Sequence, residues 1–89
     1  MMEQSFLIIN KLGLHARAAA KFVTTASDYQ ADISVSRDGR TVNGKSIMGV
    51  MMLAASKGTE ITINAVGDDA EEALKAIGTL INNYFGEGE

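Results

Sequence analysis

The chain contains no cysteine, no proline and no tryptophan, and it has a single histidine. Without cysteine, stability must come from packing, because disulfides and thiolate metal sites are excluded. One histidine without cysteine would leave zinc with only carboxylates as further ligands, so we expect neither a metal site nor a cofactor. Chemistry that needs an imidazole can occur at one position only, His15.

Basic clusters and long apolar runs are also missing. The net charge is -3 and aromatic residues make up 6% of the chain, so a nucleic-acid stacking platform is hard to build and an anionic membrane surface is an unsuitable partner. Residues 1–5 carry no cationic segment leading into a signal-type apolar run, and no stretch approaches the length of a membrane span. We therefore expect a cytoplasmic protein.

The length and the hydrophobic share bound the fold. A chain of 89 residues with 46% hydrophobic residues can close one core, so we expect a single domain over residues 1–89. Hydrophobic periodicity and turn signals predict the order β-α-β-β-α-β-α. The predicted strands are residues 6–9, 31–37, 40–43 and 60–66, with Asp38-Gly39 as the hairpin turn.

The predicted helices are residues 16–27, a short helix at 47–54, and a last helix that begins after Asp68 or Asp69 as its cap. The apolar stripe of the last helix comprises Leu74, Ile77, Gly78, Leu80, Ile81, Tyr84 and Phe85, and residues 86–89 are expected to be a frayed tail. This order predicts an α+β fold, an open-faced β-sandwich in which helices cover one face of a four-stranded, mostly antiparallel sheet.

His15 lies at the start of the alanine-rich first helix. No Ser, Thr, Asp or Asn stands between Lys11 and Arg17 to cap the first free N–H groups, and Gly13 allows a sharp turn into the helix. Open N–H groups at Ala16, Arg17 and Ala18, together with the helix dipole and the Arg17 guanidinium, suit an anion such as phosphate. The arrangement predicts a phosphoryl group accepted on the histidine ring.

The short second helix predicts an exposed apolar surface. Ser46 is a suitable N-cap and Gly58 a suitable terminator, but two turns cannot bury apolar side chains on every face. Exposed, flexible methionines suit a surface that docks several partners in turn. The predicted docking residues are Ile47, Met48, Met51 and Met52, whereas Val50 and Leu53 are assigned to the core.

Three motifs, taken together, resemble the HPr family, the histidine-containing phosphocarriers of the bacterial phosphotransferase system. They are the segment Gly13-Leu14-His15-Ala16-Arg17, the run of residues 44–51 (GKSIMGVM) and the run of residues 57–63 (KGTEITI). The resemblance covers nearly the whole chain and implies an α+β fold of the predicted kind. It also implies a phosphoryl shuttle rather than a stand-alone enzyme.

The resemblance further implies partners and roles. His15 would accept the phosphoryl group from phosphorylated enzyme I, ultimately from phosphoenolpyruvate, as a pros-phosphohistidine, and pass it to IIA proteins or domains. Arg17 would stabilise the phosphoryl group, and Ala20 would join the docking surface of the second helix. A monomer is expected, because the site of a shuttle must stay accessible.

From its position in the sequence alone, Ser46 is an N-cap of the second helix. It also resembles the serine that HPr kinase/phosphorylase modifies in many members of the family.

One departure from the family is Ala18, which stands where proline usually follows the arginine. Alanine keeps the helix but leaves one more N–H free and loosens the helix start.

Two other readings stay open at this stage. The chain can be a regulatory binding protein of the same fold, or a relay of the nitrogen-related branch of the phosphotransferase system, and residues 44–53 do not separate these from a sugar-uptake carrier. A small-anion or nucleic-acid binder is the weaker alternative, because the chain has no basic stripe.

Overall fold

The computed structural model describes residues 2–89. Its sheet has four strands in the spatial order β1-β4-β2-β3, and every neighbouring pair is antiparallel. The strands are β1 (Met2–Leu7), β2 (Asp32–Arg37), β3 (Arg40–Asn43) and β4 (Glu60–Val66). The predicted four-stranded sheet is confirmed, and its pairing is wholly antiparallel.

Three helices, α1 (Ala16–Ser27), α2 (Ile47–Met52) and α3 (Ala70–Asn82), accompany the sheet, followed by a short 3₁₀ turn at Tyr84–Gly86. The order of strands and helices is the predicted β-α-β-β-α-β-α, so the predicted fold class is confirmed. In the part of the chain that the structure describes, no helix combines the length and apolar character needed to cross a bilayer.

The core lies between one face of the sheet and the helices. In the central strands buried and less buried residues alternate, and the register pairs Val35 with Ile63 and Ile33 with Ala65. Side chains on a strand alternate between its two faces, so these four share the face turned towards the helices. The helices supply their own fully buried apolar residues, among them Ala18, Ala19 and Phe22 from α1 and Ile77 and Ile81 from α3.

Two predicted boundaries were wrong. The first strand lies earlier than residues 6–9, because β1 pairs with β4 from Met2 opposite Ala65 to Leu7 opposite Glu60. The second helix ends at Met52 rather than Ala54, since Ala54 adopts a left-handed conformation with φ of 51°.

Arginine side chains from the neighbouring hairpin bind the carbonyl groups of the last residue of α2 and of the two residues that follow it. Arg37 Nη1 donates to the carbonyl oxygens of Leu53 (2.8 Å) and Ala54 (3.1 Å), and Arg40 Nη1 donates to that of Met52 (3.0 Å). These bonds bring together groups far apart in the chain, and they allow a helix of six residues to hold its place with much of its surface in solvent.

The tail expected to be frayed is folded back onto the domain. Tyr84 and Phe85 adopt φ of 57° and 53° and reverse the chain, which buries Phe85 completely and leaves Tyr84, expected in the core, exposed. Lys21 Nζ donates to the Phe85 carbonyl (2.6 Å), and the Lys11 N–H donates to the Glu89 carbonyl (2.9 Å). The prediction of a frayed tail from local composition was wrong, because these stabilising contacts join residues more than sixty positions apart and leave no local signal in the sequence.

Asp69 occupies the cap position of α3, but its carboxylate does not cap the helix. Its two oxygens accept hydrogen bonds from the N–H groups of Gln30 and Ala31, both at 2.8 Å, in the loop before β2. The bond from the Gln30 N–H is the main reason that the pKa of Asp69 lies below its ordinary value of 3.8, with the Ala31 N–H acting in the same direction and partial desolvation opposing both.

We expect Asp69→Asn to lower the free energy of unfolding at pH 7, because the amide replaces a charged acceptor of two backbone donors. A carboxyl group with a depressed pKa in the folded state contributes stability above its ordinary pKa and loses it as pH falls through the folded value. The difference in the free energy of unfolding between the wild type and the variant, measured by urea titration, should therefore become smaller as pH falls below 3.8. Asp68→Asn, at the exposed neighbouring position, is the control; an Asp69→Asn deficit equal at pH 7 and pH 3 would contradict the assignment.

Candidate functional site

His15 is the N-cap residue of α1, with φ of -77° and ψ of -179°. Its carbonyl accepts the first helical hydrogen bond, from the Ala19 N–H at 2.8 Å. Within residues 2–89 no side chain caps this helix, and its first turn contains no acidic residue. The N–H groups of Ala16 and Arg17, which are both exposed residues, are thus open to an anion beside the imidazole, whereas Ala18 is completely buried.

The turn before α1 is held against the segment after α2. Gly13 has φ of +68°, and a Cβ at this position would stand 2.5 Å from the Ala55 carbonyl oxygen and 2.7 Å from the Ser56 Cα. Leu14 is buried, and its N–H donates to the same Ala55 oxygen at 2.8 Å. Only glycine fits this conformation and this close approach, so the predicted sharp turn at Gly13 is confirmed.

An acidic side chain from the folded tail contacts the histidine ring. The Nε2 atom of His15 lies 2.5 Å from Oε2 of Glu87, whose side chain is 11% exposed. The other oxygen of Glu87 accepts a hydrogen bond from Nδ2 of Asn10 at 3.0 Å, and Asn10 is completely buried. In the described part of the chain no hydrogen bond involves Nδ1 of His15. A carboxylate only accepts, so Nε2 carries the ring proton and the Nδ1 lone pair is free.

Opposing effects act on the pKa of Glu87. Burial raises it, but the hydrogen bonds from Asn10 and His15, with the charges of His15 and Lys21, lower it below the ordinary value of 4.5. The carboxylate is therefore ionised near neutral pH.

A shallow groove surrounds the ring of His15. Besides His15 and Glu87 it is lined by Lys11, Leu12, Ala16, Arg17, Lys21, Gly86 and Glu89. Three of these side chains, those of Lys11, Arg17 and Lys21, are cationic, and they line the same groove as the ring and the start of α1. The groove is thus suited to a phosphoryl group bonded to Nδ1.

The structure brings together only some of the predicted site residues. His15, Ala16 and Arg17 line the groove, whereas the side chain of Ala18 is buried beneath it and Ala20 is half-buried. The predicted N-cap is confirmed at Ser46, whose Oγ accepts from the Gly49 N–H at 3.1 Å. The groove is lined by neither Ser46 nor any of the α2 residues predicted to dock partners, although α2 packs beside α1. Those docking residues are all exposed, as predicted: Ile47, Met48, Met51 and Met52.

Sequence reasoning missed two polar residues of the site. Glu87 lies in a glycine-flanked terminus that looks disordered, and Asn10 looks like an ordinary loop residue. No motif marks either, because their partners are distant in the chain; only the complete burial of Asn10 and the folded tail reveal them.

Comparison with known proteins agrees with the resemblance seen in the sequence. Residues 2–83 match the family model described as "PTS HPr component phosphorylation site". The chain belongs to the HPr family. The phosphocarrier protein HPr of Neisseria meningitidis serogroup B is 57% identical over 89 residues, which is the full length of both chains.

Solved structures of the HPr family share the fold. The structure of HPr-C-His from Thermoanaerobacter tengcongensis has a TM-score of 0.94 and 52% identity, covering 98% of each chain. A structure described as an HPr dimer from the same organism has a TM-score of 0.79 and 52% identity, covering 98% of this chain and 100% of the other. Since one relative is described as a dimer, the expected monomer stays a prediction. Membership of the HPr family makes this chain a phosphocarrier of the phosphotransferase system.

Proposed function

We propose that His15 is the phosphoryl acceptor of this phosphocarrier, charged by phosphorylated enzyme I and discharged to IIA proteins. The observation that carries the proposal is the position of the imidazole, which precedes an uncapped helix start and has its Nδ1 atom free of hydrogen bonds in the described chain. A nucleophilic nitrogen and a ready anion site are thereby adjacent.

In the proposed reaction the Nδ1 lone pair attacks the phosphorus of the donor phosphohistidine. The donor's P–N bond breaks, and its electron pair stays on the donor nitrogen. The phosphoryl oxygens then meet the N–H groups of Ala16 and Arg17 and the guanidinium of Arg17, in the groove that these two residues share with the ring. Because the groove is open, the stabilisation is moderate and the group can be passed on.

We expect the wild type, incubated with enzyme I, magnesium and phosphoenolpyruvate, to gain one acid-labile phosphoryl adduct by intact mass. His15→Ala should gain none, since the only imidazole is lost. Arg17→Ala should be charged about tenfold or more slowly, the loss typical of one charge-assisted hydrogen bond. Lys75→Ala, which removes an exposed cation on α3 outside the groove, is the control. A folded wild type that gains no adduct from active enzyme I would reject the proposal.

The proposed docking surface comprises Ile47, Met48, Met51 and Met52 of α2, together with Ala20 of α1, the helix that packs beside α2. Met48 is the most exposed of these, at 72%, and the others of α2 lie between 37% and 60%. Flexible thioethers adapt to more than one partner, as a carrier between enzyme I and IIA proteins requires.

Met48→Ser should weaken binding to enzyme I about three- to tenfold, because central apolar contacts carry much of the energy of such interfaces. Calorimetric titration of unphosphorylated protein measures this without the transfer step. Met2→Ser is the matched control, since Met2 is also exposed but lies on β1. Equal weakening by both substitutions would place the docking surface elsewhere.

Ser46 is proposed as a regulatory site for HPr kinase/phosphorylase. Its hydroxyl caps α2, so a phosphate there would sit on its own helix terminus. The same phosphate would add about two negative charges next to the apolar docking surface and oppose binding of enzyme I.

Purified kinase should label the wild type and Ser27→Ala, a substitution of an exposed serine at the end of α1, but not Ser46→Ala. Loss of the cap should also lower the free energy of unfolding of Ser46→Ala by about 1 kcal/mol, measured by urea titration. Equal labelling of all three proteins would end the assignment of Ser46.

A further inference from the structure

We propose that Glu87, held by Asn10, is a positioning residue that keeps the His15 ring in the Nε2–H form and balances the charge the ring gains on phosphorylation. The inference depends on the proposed role of His15 as acceptor. It starts from an unexpected juxtaposition: a tail carboxylate, 11% exposed, lies 2.5 Å from the catalytic ring and is bound from behind by a fully buried amide.

The donor and acceptor pattern requires a carboxylate at position 87. One oxygen faces the Nδ2 group of Asn10 at 3.0 Å and the other faces Nε2 of His15, and both neighbours donate. Asn10 Nδ2 also donates to the Gly13 carbonyl at 2.8 Å, which fixes the direction of the amide. A glutamine at position 87 would turn its own NH₂ group towards one of the two donors and lose that contact.

The Nε2–H form is the form that the reaction needs. When Nδ1 attacks phosphorus, Nε2 keeps its proton and the ring becomes a phosphoimidazolium with one positive charge. Glu87 stands where that charge develops, so it orients the ring before transfer and stabilises the charge afterwards. An acidic residue that orients a reacting histidine through its other nitrogen acts in the same way in hydrolase triads.

The tail has anchors that do not involve Glu87. Phe85 is completely buried, its carbonyl accepts from Lys21 Nζ, and the Glu89 carbonyl accepts from the Lys11 N–H. Substitution of Glu87 should therefore leave the fold of the tail intact, and the effect on His15 can be separated from a general loss of structure.

The first test uses unphosphorylated protein and no partner. In ¹⁵N-labelled wild type near neutral pH we expect the Nε2 proton of His15 as a slowly exchanging downfield NMR resonance. This resonance should be lost or exchange about tenfold or more faster in Glu87→Gln, where the charge-assisted bond is gone. Glu71→Gln, the same change at an exposed position on α3, should leave it unchanged. Backbone spectra establish that all three proteins are folded.

The second test measures transfer. Glu87→Gln should be charged by phosphorylated enzyme I about tenfold more slowly, with Glu71→Gln at the wild-type rate. In the phosphorylated protein the ring proton should be lost at lower pH in Glu87→Gln, so the fall of the hydrolysis rate with rising pH should also move to lower pH. The other charged groups in the groove are the same in both proteins: Lys11, Arg17, Lys21 and Glu89.

The outcomes separate the two proposals. If the wild type is phosphorylated and Glu87→Gln matches it in the Nε2 resonance, the charging rate and the hydrolysis profile, the positioning role is overturned and the acceptor role of His15 stands. If the Nε2 resonance depends on Glu87 but the wild type gains no phosphoryl group, Glu87 does hold the ring and the proposed function fails. A slower Glu87→Gln with an unchanged resonance would contradict the positioning of the ring.

Discussion

The buried side chain of Asn10 connects the parts of the protein on which the site depends. Its Nδ2 group donates both to the Gly13 carbonyl, in the turn that opens α1, and to Glu87, in the tail. The Gly13 turn in turn packs against Ala55 at a distance that only glycine tolerates. Both hydrogen bonds of this completely buried side chain are donated by Nδ2, while its Oδ1 atom has no partner among residues 2–89, so the Nδ2 group holds the turn and the tail in one arrangement around His15.

The helix α1, which follows this turn, has no N-terminal cap: its first N–H groups have no partner among the described side chains. In most helices a capping side chain would occupy them. Here the Nε2 atom of the imidazole at the cap position contacts Glu87 instead, and neither Nδ1 nor the helix start has a side-chain hydrogen-bond partner among residues 2–89. Because no side chain caps the N-terminus of α1, its N–H groups can bind an anion instead.

The helix α2, in contrast to α1, has hydrogen-bond partners for backbone groups at both of its ends. Its N-terminus is capped by Ser46, the carbonyl of its last residue, Met52, accepts from Arg40, and that of the following Leu53 accepts from Arg37. With both ends satisfied, six residues stay helical although only Val50 of them is buried. An apolar surface such as that around Met48 and Met51 can then remain exposed without unravelling the helix.

The sequence by itself determined the fold class, the order of strands and helices, and the position of the unique histidine before an uncapped helix. These follow from periodicity, turn residues and the absence of a capping side chain, all of which act within a few residues of one another. Only the tertiary structure decided that Asp69 binds the Gln30 loop, that the tail folds back with Phe85 buried, and that Glu87 contacts both Asn10 and His15. Those contacts join residues at least 38 positions apart, and no local preference encodes a partner at that distance.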